Sequence, residues 1–160
     1  MTIGKVSRFK KGQSLFELIM AIGLVGLILL VLVQLSTISV RNANSSQNEA
    51  QATRLGQEAV EWLRLQRDVI GWDQFVARTT STPTICLMNT SWNQAKPGPC
   101  TSGDYISKIF QREVEFEAND TNGDGKYDRV EVVISVRYLD GQGTHTVKNS
   151  TYLTDWRLQL

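Results

Sequence analysis

With 160 residues, 41% of them apolar and 21% charged, the chain holds material for one globular domain and too much apolar content for a disordered one. Its net charge of +1 conceals an uneven distribution: Lys5, Arg8, Lys10 and Lys11 crowd into the first twelve residues, where no acid occurs, and the +1 less these four charges leaves −3 for the remainder. A mildly acidic body argues against a nucleic-acid partner held by phosphate neutralisation.

Leu18 to Val40 carries no charge, and Leu18 to Val33 is apolar throughout. As a helix, residues 18–40 span about 35 Å, enough to cross a bilayer core of about 30 Å. The basic residues before it, with no further Lys or Arg until Arg41, place the N-terminus in the cytoplasm and the rest outside, as a single-pass protein of the cytoplasmic membrane. A cleaved secretory signal would have an apolar core of about 7–15 residues followed by a small-residue cleavage site. Here the apolar run is longer and continues into Gln34-Leu35-Ser36. A plain anchor gives no reason for Glu17 beside the run, since a carboxylate near hydrocarbon is costly and marks a function or a partner.

The segment Lys10-Lys11-Gly12-Gln13-Ser14-Leu15-Phe16-Glu17-Leu18 resembles the processing site of type IV prepilins. In that family a basic leader ends in Gly, a membrane peptidase cuts after it, the new N-terminus is methylated, and a Glu stands fifth in the mature chain. Gly12 and Glu17 match in type and spacing, while Gln13 stands where the family usually carries Phe. The resemblance covers about the first forty residues. It implies a leader over 1–12, cleavage between Gly12 and Gln13, N-methylation of Gln13, and a helix over 13–40 that serves as membrane span and filament core. The implied partners are prepilin peptidase and other pilin subunits in a cell-surface or periplasmic filament.

Physical chemistry supports the same roles. After cleavage Gln13 would carry an α-ammonium among packed helices, an unpaired charge costing several kcal/mol in low dielectric. Glu17, about one turn away, can neutralise it within the chain or on a displaced neighbour, and the resemblance implies the neighbour. Gly23 and Gly26 each lower helix propensity by roughly 1 kcal/mol relative to Ala. Close helix packing and local melting both account for them.

Beyond Arg41 the sequence stays helix-compatible, with no Pro before Pro83. Leu55, Ala59, Trp62 and Val69 recur at helical spacing, widened by Val60 and Leu63. This predicts one helix from about Gln13 to Val69, roughly 85 Å long. Its weakest part is Asn44–Asn48, and Gly71 is a candidate C-cap. After a loop holding Pro83 and both cysteines the period changes to two. Val114 and Phe116 alternate with Glu113, Glu115 and Glu117, and Val130, Val132, Ile134, Val136 and Tyr138 form a second half-buried strand. Asp140-Gly141-Gln142-Gly143 is a hairpin turn leading to a strand over Thr144–Leu153. Ile85-Cys86-Leu87 and Tyr105-Ile106 are weaker strand candidates. The expected fold is α+β: a long N-terminal helix packed on a small antiparallel sheet head over 41–160, an architecture similar to pilins.

Cys86 and Cys100 bracket a polar loop and fit no zinc-ligand pattern, which leaves a disulfide or two unpaired thiols. A disulfide would add roughly 3 kcal/mol and place the head outside the cytoplasm. Between the best strands, Asp120-Thr121-Asn122-Gly123-Asp124-Gly125-Lys126-Tyr127-Asp128-Arg129-Val130-Glu131 matches the spacing of an EF-hand calcium loop. Asp120, Asn122 and Asp124 would ligate through side chains and Lys126 through its carbonyl, with Asp128 and Glu131 completing the set. The alternative is a hairpin loop chosen for turn chemistry alone. His145, the one histidine, is expected on the solvent face of its strand, and no nucleophile, phosphate loop or dinucleotide fingerprint predicts an enzyme. Two functions compete: a minor pilin or pseudopilin, and a calcium-dependent binding module on a simple membrane anchor.

Overall fold

The computed structural model describes residues 13–156, with side chains from Leu15 onward; the leader and Gly12 lie outside the described residues. The chain divides into two compact units, Met1–Asn44 and Ser45–Leu160. Helix α1 runs Gln13–Ile70 and continues through Asn44–Asn48. In the first unit every described side chain is exposed. Its 18-residue window reaches a mean hydropathy of 2.9, so the helix is long and apolar enough to cross a membrane. Thr37 donates its hydroxyl to the Val33 carbonyl oxygen at 3.0 Å, which lets a polar side chain ride on this helix without an orphaned group.

In the second unit the rest of α1 packs on a five-stranded antiparallel sheet in the order β2-β1-β3-β4-β5. The strands are β1 (Thr84–Cys86), β2 (Lys96–Pro97), β3 (Phe110–Asn119), β4 (Arg129–Asp140) and β5 (Gly143–Thr154). Ala52, Gly56, Ala59 and Leu63 repeat at three- and four-residue intervals and form the buried stripe of α1. The small residues set the spacing between layers. A Cβ on Gly56 would lie 2.6 Å from Asn149 Nδ2 of β5, so Gly there admits that side chain. Val69, expected on this stripe, is 70% exposed: six residues on from Leu63 puts it about 120° round the helix, off the buried face.

The alternation in β3 and β4 holds. Phe110, Val114 and Phe116 on β3 and Val130, Val132, Ile134, Val136 and Tyr138 on β4 are buried beneath the helix layer. Each fully buried residue of this kind contributes about 1.5–3 kcal/mol. β4 and β5 pair from Arg129↔Thr154 to Asp140↔Gly143, leaving Gly141 and Gln142 as a two-residue turn at the predicted place. Gly143, at φ 129, supplies a conformation that a side chain would strain.

Three further expectations change. Gly71 ends α1 at φ 82, its N–H reaching the Arg67 carbonyl oxygen at 3.1 Å, but the stretch after it is helix α2 (Trp72–Ser81) and not loop. Phe75 and Thr79, one turn apart, are its buried residues; Phe75 meets Trp92 edge-on, with centroids 6.5 Å apart. Tyr105-Ile106 is no strand. Ile106 N–H bonds to the Phe110 carbonyl oxygen at 2.8 Å in a tight turn entering β3, and the strand on that side is Lys96–Pro97, paired to β1. His145 is not on the solvent face: it lies opposite Tyr138, stacks on that ring at 5.1 Å and 16°, and is half-buried.

Candidate functional site

Three places carry the chemistry singled out in the sequence, and a hollow beside one of them makes a fourth. The first is the start of α1. Gln13 is its first residue and Glu17 follows one turn later, exposed like its apolar neighbours. Between Gln13 and Arg41, Glu17 is the one ionisable side chain. A Cβ at Gly23 or Gly26 would meet nothing within 4 Å, so neither glycine serves a contact in the isolated chain, and the helix is unbroken through both.

The second is the loop between β3 and β4. Asp120 accepts the N–H of Gly123 (2.7 Å) on one oxygen and that of Gly125 (2.8 Å) on the other. Asn122 Oδ1 accepts the Asp124 N–H at 3.0 Å, and Asp124 Oδ1 accepts the Lys126 N–H at 2.8 Å. Asp128 closes the loop by accepting from both the hydroxyl and the N–H of Thr121, while its own N–H donates to the Asn119 carbonyl oxygen at 3.1 Å. The Thr121 hydroxyl holds the Asp128 carboxyl below the ordinary carboxylate range. Gly123 at φ 76 and Gly125 at φ 82 make the turns. Asp120, Asn122, Asp124 and Asp128 therefore occupy one compact loop, with lone pairs left on each oxygen.

Glu131 does not join them. Strand parity turns it to the sheet face opposite Val130 and Val132, where it pairs with Glu117 and lines a separate hollow with Glu115 and Val133. Among the described residues no group of three or more His, Cys, Asp or Glu side chains converges as a metal site. The full twelve-residue ligand set is thus not assembled, because a ligand at the last position belongs on a helix and here sits on a strand.

Beside this loop lies the third feature, a hollow of about 640 Å³. Trp72 at the start of α2 forms one wall, its indole N–H donating to the Tyr127 carbonyl oxygen at 2.8 Å. Thr154 and Asp155, at the end of β5, form another.

The fourth is the cysteine loop. Cys86 and Cys100 form a disulfide, their Cα atoms 4.8 Å apart. Cys100 N–H also bonds to Glu113 Oε2 at 3.0 Å, and that carboxylate takes Arg137 at 2.9 Å. Asp104, 4% exposed, accepts from Lys96 and from the N–H and hydroxyl of Thr101 at 2.9 and 2.7 Å. Lys96 foremost, then Thr101, hold its carboxyl down at about 2.

Sequence reasoning passed over Arg112. It is 1% exposed and reaches the Leu55 carbonyl oxygen of α1 at 2.8 Å and the Leu87 carbonyl oxygen at 3.2 Å. Burial lowers its pKa, opposed by the charge of Glu58. The available signal was its phase: it alternates with Val114 and Phe116 and so belongs on the inner face.

No protein-family model matches the chain, and no curated protein or solved structure matches it. The class rests on the fold: an α+β unit with a five-stranded antiparallel sheet, following one N-terminal helix long and apolar enough to span a membrane.

Proposed function

We propose that the chain is a structural subunit, a minor pilin or pseudopilin, of a type IV pilus or type II secretion-like filament. Prepilin peptidase cuts it between Gly12 and Gln13 and the new N-terminus is methylated. The helix over 13–40 first holds the protein in the cytoplasmic membrane, head outside, and then packs against other subunits. The protein is a substrate of an enzyme, with no catalytic residues of its own.

One observation carries this reading: Leu18 to Val33 presents an uncovered apolar surface, uncharged onward to Val40, at whose start Glu17 is the lone ionisable group. Such a surface needs lipid or other helices around it. A carboxylate there needs a cation, and the α-ammonium created by cleavage is one of the right charge and depth. The test is Glu17→Ala: membrane insertion is preserved and filament assembly falls. Assembly at the normal level would refute the pairing.

The hairpin loop supports a second element, calcium as a clamp. Asp120, Asn122, Asp124 and Asp128 supply the oxygens and Lys126 its carbonyl, and without Glu131 the remaining positions fall to water. In this role the ion orders the loop and performs no chemistry. The same loop favours the alternative reading of a calcium-dependent binding module on a single-pass anchor; its carrier would insert without processing at Gly12.

A further inference from the structure

We propose that the hollow beside the β3–β4 loop is a binding site for a neutral saccharide. At about 640 Å³ it falls within the roughly 300–1,000 Å³ range of small-ligand sites. Trp72 and Tyr127 contribute aromatic surface, and Asn122, Asp124, Asp128 and Arg129 place donors and acceptors within the same lining. Rings for the apolar face of a pyranose and paired donors and acceptors for its hydroxyls are what a sugar requires.

Charge narrows the ligand class. In the calcium-free loop the carboxylates Asp73, Asp124 and Asp128 outnumber the cations Lys126 and Arg129 in the lining, so phosphates and carboxylates are disfavoured. An ammonium ligand fares no better. Two cations share the lining, and Phe75 already stacks on Trp72, centroids 6.1 Å apart at 25°, which leaves no aromatic cage. A neutral polyol meets neither obstacle. Arg129 is held in the lining by its guanidinium carbon, which lies over the Tyr152 ring 4.9 Å from the centroid.

The walls are fixed before any ligand arrives. Trp72 is tied to the Tyr127 backbone, and Asn122, Asp124 and Asp128 are locked by the loop's own hydrogen bonds, so little ordering remains to oppose binding. The site does not depend on the filament reading, and it uses a loop that calcium would stiffen further.

The test is saturation-transfer NMR on the full chain in micelles of a zwitterionic detergent without a sugar headgroup, with calcium removed by a chelator. The probes are cellobiose, maltose and N,N′-diacetylchitobiose. Transfer is expected to at least one probe, with roughly tenfold weaker binding in Tyr127→Ala, whose exposed ring is lost, and in Arg129→Gln. Arg64→Gln, on the outer side of α1, should leave binding unchanged. No transfer to any probe, binding undiminished in both hollow variants, or a response to tetramethylammonium in place of the sugars would overturn the proposal. If one variant unfolds by circular dichroism, the other decides.

Discussion

Arg112 of β3 donates through its guanidinium to the Leu55 carbonyl oxygen of α1 at 2.8 Å, a hydrogen bond across the interior of the head between residues 57 positions apart. The same side chain holds the Leu87 carbonyl oxygen at 3.2 Å, so one buried cation ties helix, sheet and cysteine loop together. Arg112→Ala should destabilise the head by about 3 kcal/mol, since a charge-assisted pair of bonds and a buried stem are lost together. Arg112→Lys should recover little, because a single ammonium lacks the fork that reaches both carbonyls. Urea unfolding of the two variants measures this; equal stability of Lys and Arg would show that charge alone suffices.

Gly56 and Asn149 form a second pairing between α1 and β5. Ala at 56 gains about 1 kcal/mol of helix propensity and meets the Asn149 amide at 2.6 Å, so the gain is offset by the shift it forces. In an Asn149→Ala background the obstruction is gone, and Gly56→Ala should then stabilise. A double-mutant cycle reads the coupling, and additive effects would remove the steric account.

The Asp104 carboxyl titrates at about 2 in the folded head against 3.8 as its ordinary value, chiefly through Lys96. A depressed folded pKa means that its contribution is complete above the ordinary value and lost as pH falls through the folded one. Stability should therefore decline between pH 3.8 and about 2, and Asp104→Asn should flatten that limb while lowering stability at neutral pH. An unchanged acid limb in the variant would assign the decline to other carboxylates.

If calcium clamps the β3–β4 loop, a hundredfold excess over its dissociation constant adds about 2.7 kcal/mol, raising the melting temperature by on the order of 10 °C for a domain of this size. Chelation should reverse the rise, and Asp124→Ala should abolish it. Glu131→Gln should leave it in place, since Glu131 lies on the other sheet face. A melting temperature indifferent to calcium would reduce the loop to its turn chemistry.

Local signals made α1, β3, β4, β5 and the Asp140–Gly143 turn legible: an apolar run and helical spacing for α1, alternation for β3 and β4, and turn chemistry for the entry to β5. Helix α2 hid because only Phe75 and Thr79 mark its buried face. Parity within β5 placed His145 with Val147 and Leu153 on the inner face, yet a lone imidazole beside a turn read as exposed. The loop spacing was legible and its assembly was not: Asp120 to Asp128 are held by contacts within a few residues, whereas Glu131 answers to the pleat of β4. The partners of Arg112 lie 25 and 57 residues away, distances at which no local pattern speaks.

The filament reading is tested most directly by the intact mass and N-terminal sequence of the protein recovered from membranes. The predicted result is a chain that lacks its first twelve residues and begins at Gln13 carrying one additional methyl group. A chain that still begins at Met1, or one cut beyond the apolar run, would contradict it.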